Sequence, residues 1–118
     1  MTYYEDLEVP QGSHYRFQIQ MYNENGGRKD LSNVAGARGV INYSYQASDS
    51  DAINFLVNVD APPRNGIINC TLTDVQTESL ERRRYLYDIE VDYVTPKGIR
   101  YTEKILEGKV IVSKTVNP

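Results

Sequence analysis

The sequence predicts an all-β domain, an antiparallel sandwich or barrel, on three observations. First, in residues 84–93 the odd positions from 85 are Tyr, Tyr, Ile, Val and Tyr, while 88, 90 and 92 are Asp, Glu and Asp. Side chains alternate across a pleated strand, so this stretch has one aromatic, branched face and one acidic face; a helix would scatter the same residues and bury carboxylates. Second, about seven such runs recur at intervals of roughly 8–12 residues, divided by turn residues, which is the spacing of a sandwich or barrel. Third, the aromatic set is skewed, with ten Tyr, two Phe and no Trp. Tyrosine favours strands and half-wet surfaces, because its ring packs while its hydroxyl keeps a polar partner.

Taken in order, residues 2–9 form an edge strand or a loose arm, ended by Pro10-Gln11-Gly12-Ser13, where Pro and Gly favour a turn. From His14 to Tyr22 the alternation is clean, with Tyr15, Phe17, Ile19 and Met21 on one face and Arg16, Gln18 and Gln20 on the other. A polar loop with an Asn-Gly pair follows over 23–30, suited to positive φ. Residues 31–36 read as an irregular link. Residues 37–46 read as a strand with Ile41, Tyr43 and Tyr45 inward and Arg38, Asn42 and Ser44 outward. After a turn over 47–51, Ile53, Phe55, Val57 and Val59 alternate again. Pro62-Pro63 marks a loop, because proline cannot donate to a ladder. Residues 67–72 make a short strand. Thr73 with Gln76 has the pattern of a capping box, but 73–81 lacks an apolar stripe and predicts only a turn or two of helix. The strand 85–93 comes next, then a tight turn at Thr95-Pro96-Lys97-Gly98. A long strand over 99–112, bent near Gly108, precedes a tail over 114–118.

A chain of 118 residues suits one domain (1–118) and can bury roughly two thirds of its unfolded surface. The segments 1–9 and 113–118 are expected to act as contact arms. A net charge of -3 argues against nucleic acid, which needs a basic footprint. The single cysteine, Cys70, excludes an internal disulfide and points to a reducing compartment. The first residues have neither a basic region nor an apolar run, so they are not a signal peptide, and no stretch approaches the roughly 20 apolar residues of a membrane span.

Several stretches, in order, carry a family resemblance. They are Val9-Pro10-Gln11-Gly12-Ser13-His14-Tyr15-Arg16-Phe17; Asp30-Leu31-Ser32; Asn65-Gly66-Ile67-Ile68-Asn69-Cys70-Thr71-Leu72-Thr73; Arg84-Tyr85-Leu86-Tyr87-Asp88-Ile89-Glu90-Val91; and Ile105-Leu106-Glu107-Gly108-Lys109-Val110-Ile111-Val112-Ser113. This order resembles the small immunoglobulin-like domains of tailed-phage virions, and is similar to the N-terminal domain of the phage baseplate upper protein family. The resemblance spans about Val9 to Ser113. It implies an immunoglobulin-like antiparallel β-sandwich of about seven strands with one short helical turn. It also implies a virion component, made in the host cytoplasm, that docks onto other virion proteins. No coiled coil or head domain follows residue 113, so the expectation is an adaptor rather than an entire receptor-binding device.

No residue pattern announces chemistry. His14 has no companion ligand for zinc and no nucleophile partner, and reads as a turn histidine. Cys70 alternates with Ile68 and Leu72 and reads as a buried, inert thiol. Asp49, Asp51 and Asp60 lack the spacing that brings roughly six to eight oxygens to calcium. The Asp88, Glu90, Asp92 stripe reads as a solvent face, with cross-strand pairing to Arg16, Lys104 or Arg100, rather than as a glycosidase pair. Asn42-Tyr43-Ser44 and Asn69-Cys70-Thr71 match the glycosylation acceptor but fall inside predicted strands. No catalytic, cofactor or metal site is therefore expected.

The interaction candidates are Tyr3, Tyr4, Tyr22 and Tyr101, because surplus tyrosine marks interfaces, and Arg82, Arg83 and Arg84, whose ordinary role is a solvated turn and whose functional role would be contact with an acidic neighbour. The expected function is a non-enzymatic structural protein of the tail, neck or baseplate, acting as a homo-oligomer among other virion proteins. Its arms would add to a neighbour's sheet edge, so trimming either should lower assembly and leave the body folded. A capsid decoration protein is the alternative. A carbohydrate-binding module, using Tyr43 or Tyr45 if outward, is the second alternative, and an enzyme ranks last.

Overall fold

The computed structural model describes residues 2–114. Among the described residues eight strands, β1 (Tyr3–Tyr4), β2 (Leu7–Pro10), β3 (Tyr15–Gln20), β4 (Val34–Asn42), β5 (Ile53–Val59), β6 (Ile67–Leu72), β7 (Arg84–Val94) and β8 (Arg100–Ser113), are joined by polar loops, one α-helix, α1 (Asp74–Glu78), and two single 3-10 turns at Asp49–Asp51 and Pro63–Asn65. Neighbours run β1-β8-β7-β4-β5-β6-β3, with β2 also on β8. The sheet closes into two layers because β5 is shared. Its first residues, Ile53 to Phe55, pair with β4, while Leu56 to Val59 pair with β6. One layer is therefore β2 and β1 on β8, then β7 and β4; the other is β6 and β3. All pairs are antiparallel except β1 and β2, which run parallel to β8.

This is an immunoglobulin-like sandwich. The β3–β6 pair faces the β4–β7–β8 layer, a leading segment runs parallel to the last strand, and a helical corner carries the chain across from β6 to β7. At that corner the Tyr85 hydroxyl accepts the Arg82 N–H at 2.9 Å, the arrangement of a tyrosine corner. The capping box is present: Gln76 N–H donates to Thr73 Oγ1 at 3.1 Å and Thr73 N–H to Gln76 Oε1 at 2.9 Å. Thr77 Oγ1 donates to the Ser13 carbonyl at 2.8 Å and so ties the corner to the loop after β2.

The alternation of β7 is borne out. Tyr85, Tyr87, Ile89, Val91 and Tyr93 are all buried, facing Ile68, Cys70 and Leu72 of β6 in one core. Rings step across it from Phe17 to Phe55 at 5.8 Å and from Phe55 to Tyr87 at 6.2 Å between centroids. The acidic face of β7 is paired, as expected for Lys104 with Asp88 at 3.9 Å. Its main partner is Arg38, 2.7 Å from Asp92 and 3.6 Å from Glu90. Arg16 turns instead to Asn69 on the opposite layer, at 3.1 Å.

Three expectations are corrected. The single edge strand or loose arm expected over residues 2–9 is two short strands, β1 and β2. Between them the Glu5 carbonyl crosses over Gly108, where an added Cβ would sit on that oxygen, and accepts the Tyr87 hydroxyl at 2.6 Å. This segment is thus built into the sheet, with Leu7 and Val9 buried. Residues 115–118 of the expected C-terminal arm lie outside the described residues. The second correction concerns β4, which begins at Val34 rather than Ala37 and stops at Asn42. A register shift between Val34 and Gly36 absorbs the irregular start, as glycine in a strand often does. Gly39 faces the core, where a Cβ would come within 2.5 Å of Ile89 and 2.9 Å of Phe55. The third follows from the second. Asn42 folds the chain away, accepting the Tyr43 N–H at 2.9 Å and donating to the Ser48 carbonyl at 3.1 Å. Tyr43 and Tyr45, expected inward, are exposed.

Candidate functional site

A groove of about 1180 Å³ lies between β3 and the β1–β2–β8 edge. It exists because the two layers are joined along β5 and stay apart on the opposite side, where β3 has no second neighbour among the described residues. The inward residues of β3 follow the predicted alternation, but Tyr15, Phe17, Ile19 and Met21 are only half-buried and pack on the core from one side. Across the groove, Ile105 and Leu106 of β8 are buried, both turned to the interior by a register shift opposite Ile89 and Glu90.

The rim is acidic and tyrosine-rich. Among the described residues Glu5, Asp6, Glu8, Glu24 and Glu103 line it together with Lys29, whose ammonium sits 4.5 Å above the Tyr93 ring. Tyr3, Tyr4 and Tyr22 also line it, each more than 60 % exposed. Partial desolvation and the neighbouring Asp6 carboxylate raise the Tyr4 pKa above the ordinary phenol value; like any phenol, its hydroxyl is a donor near neutral pH. Apolar floor, polar tyrosine shoulders and carboxylate rim together favour an occupant that is part apolar and part cationic.

The structure thus gathers three of the predicted interaction residues and separates the others. Tyr101 stacks on Tyr93 at 5.1 Å, near the β7–β8 turn. Arg82, Arg83 and Arg84 are exposed at the far end of β7, Arg84 pairing with Ile111. Arg82 is not wholly solvated, since its guanidinium lies 4.4 Å over the Tyr43 ring. Sequence reasoning named the tyrosines but missed the groove, which depends on which strand ends the sheet.

The remaining candidates have local explanations. His14 is exposed in the turn before β3. Cys70 is buried and its pKa is pushed up to about 12 by that burial. Asn69 is buried, accepting from Arg16 and Gln18 and donating to Asn58 and Asp60, so Asp60 and the second glycosylation-type Asn belong to a closed polar network on the outer face. Asp30 accepts both the Ser32 N–H and hydroxyl, and those hydrogen bonds lower its pKa. The Asp-Leu pair is therefore a turn device, with Leu31 buried beside it. Among the described residues no group of three or more His, Cys, Asp or Glu is placed to hold a metal, and no helix is long and apolar enough to cross a membrane.

Comparison with protein-family models and with curated proteins gives no match. Among solved structures the chain is similar to AggA, the major subunit of aggregative adherence fimbriae type I from Escherichia coli, with 11% identity and a TM-score of 0.39 over 92% of this chain and 89% of that one. A likeness that loose carries no inference about role.

Proposed function

We propose that the chain is a non-enzymatic structural protein that works by docking onto neighbouring proteins, and that its setting is a tailed-phage virion, as an adaptor or assembly component of the tail, neck or baseplate. The observation that carries the docking half is the open seam along β3: an apolar floor beside a sheet edge with three exposed tyrosines on its rim. Large aromatic side chains at a groove are what protein interfaces use. The virion half rests on the motif order from Val9 to Ser113, which resembles immunoglobulin-like phage domains. Repetition in a symmetric assembly is the expected context. Mass spectrometry of purified particles should find the chain at fixed stoichiometry, and gold-labelled antibody should mark the tail or baseplate. Absence from particles would remove the virion reading, and label spread over the head would replace it with capsid decoration.

One observation favours a second reading, a carbohydrate-binding module. Tyr45 is 82% exposed just after β4, as a stacking platform for a sugar would be. Glycan-array binding abolished by Tyr45→Ala would promote it.

A further inference from the structure

We infer that the groove takes an extended, cationic segment of another protein, adding a strand to the free edge of β3. This rests on the docking reading above and is independent of which assembly contains the chain.

The edge itself supplies the first reason. A strand with one neighbour presents a row of unpaired N–H and C=O groups, and proteins that leave such an edge bare guard it with proline, lysine, an inward charge or a bulge. Tyr15–Gln20, Tyr-Arg-Phe-Gln-Ile-Gln, has none of these. Its one charge, Arg16, points to the outer face and is held by Asn69. The β3–β6 register runs unbroken from Tyr15 to Gln20, so the edge is straight over roughly 20 Å.

Groove shape supplies the second. At about 1180 Å³ it exceeds the roughly 300–1,000 Å³ of small-molecule clefts, and it is bounded by strands on both sides. An extended peptide fits that outline. Its alternate side chains would fall on Phe17 and Ile19, and the others would face the rim. Charge supplies the third. Among the described lining residues Glu5, Asp6, Glu8 and Glu24 outnumber Lys29, which opposes an acidic segment and draws a basic one, because like charges across an interface repel. Among the described residues a second copy of this chain fits less well: its own N-terminal segment is acidic, and the backbone of its Arg82–Arg84 corner is engaged, with the Arg82 N–H on Tyr85 and the Arg83 carbonyl accepting Val112 N–H at 2.8 Å.

The test uses three labelled peptides of about eight residues, enough to span the six of β3 with a residue over at each end: alternating Val/Lys, alternating Val/Glu, and Val/Lys with a central proline. Fluorescence anisotropy reads binding to the full chain, and amide hydrogen exchange maps it. The Val/Lys peptide should bind at least about ten-fold tighter than Val/Glu, slow exchange over residues 15–20, and lose affinity with proline, which cannot donate to the ladder. The Glu8→Lys, Glu24→Lys double variant, both positions being exposed, should cancel the preference. Equal binding of Val/Glu, protection elsewhere, or no binding would overturn the inference. So would a dimer of the free protein that already protects β3, which would make a second copy the occupant. Particle mass spectrometry is separate, so loss of the virion setting and loss of this ligand are told apart.

Discussion

Asp92 shows how much a single side chain does on the outer face. It accepts the Thr102 hydroxyl at 2.6 Å and Arg38 at 2.7 Å. These hydrogen bonds, that of Thr102 first, hold its pKa below the ordinary carboxylate value. A carboxylate with a depressed folded-state pKa contributes stability that is full above its unfolded value and is lost as pH falls through the folded one. Asp88 runs the other way: burial raises its pKa, so its ionisation costs stability as pH rises. Urea midpoints taken across the acid range, below about pH 4, should therefore fall less steeply for Asp92→Asn than for the parent. Parallel curves would show that Asp92 is not titrating as a bonded carboxylate. Cys70 gives a second test at this scale. With its thiol buried and its pKa near 12, the native protein should resist a thiol reagent that labels it at once in denaturant. Fast native labelling would mean that β6 is not covered by the facing layer.

Among the elements, the helical corner between β6 and β7 is the best specified by local chemistry. Tyr85→Phe keeps the ring and leaves the Arg82 N–H without its partner, so it should cost about 0.5–1.5 kcal/mol, read as a shifted urea midpoint at unchanged slope. No shift would mean that water replaces the hydroxyl and the corner is held by packing alone. Local chemistry is also what made elements legible. The alternation of 85–93, the Thr73/Gln76 cap and the Pro-Lys-Gly turn, where Gly98 has a φ of +83°, depend on neighbours in sequence. The start of β4 is not legible because Gly36 and Gly39 look like loop residues, and only the packing shows that Ile89 and Phe55 need the space at Gly39. Tyr43 and Tyr45 continue the period of Ile41, yet the turn begins at Asn42 and periodicity outruns the strand. Parallel pairing of β2 with β8 spans more than 100 residues of sequence and leaves no local signature. The groove has the same origin: alternation puts Tyr15, Phe17, Ile19 and Met21 on one face, but nothing in their spacing says that the face is half open.

On the scale of the whole molecule, the radius of gyration is 15.3 Å and the extents are 51 × 28 × 21 Å, elongated against the about 13.5 Å expected for a compact chain this long. The long β7–β8 pair sets that length, and the N-terminal segment closes its outer edge. Trimming this segment was expected to leave the body folded, and the structure divides the outcome in two. Removing residues 1–4 takes away Tyr3 and Tyr4, both exposed, and leaves Glu5 over Gly108. The shortened protein should unfold at nearly the parent midpoint while losing contacts at the groove rim. Removing residues 1–10 takes Leu7 and Val9 out of the core and strips the partner from the Tyr87 hydroxyl. Two buried aliphatic side chains are worth about 3–6 kcal/mol together, a large share of the roughly 5–15 kcal/mol that holds a domain folded. Thermal and urea unfolding of the longer deletion should show a broad or absent transition, and the shorter one a cooperative transition. If both unfold cooperatively at the same midpoint, the β2–β8 pairing contributes nothing to the body. In that case the wall of the groove opposite β3 would be free to leave, and the groove would not be a fixed feature of the fold.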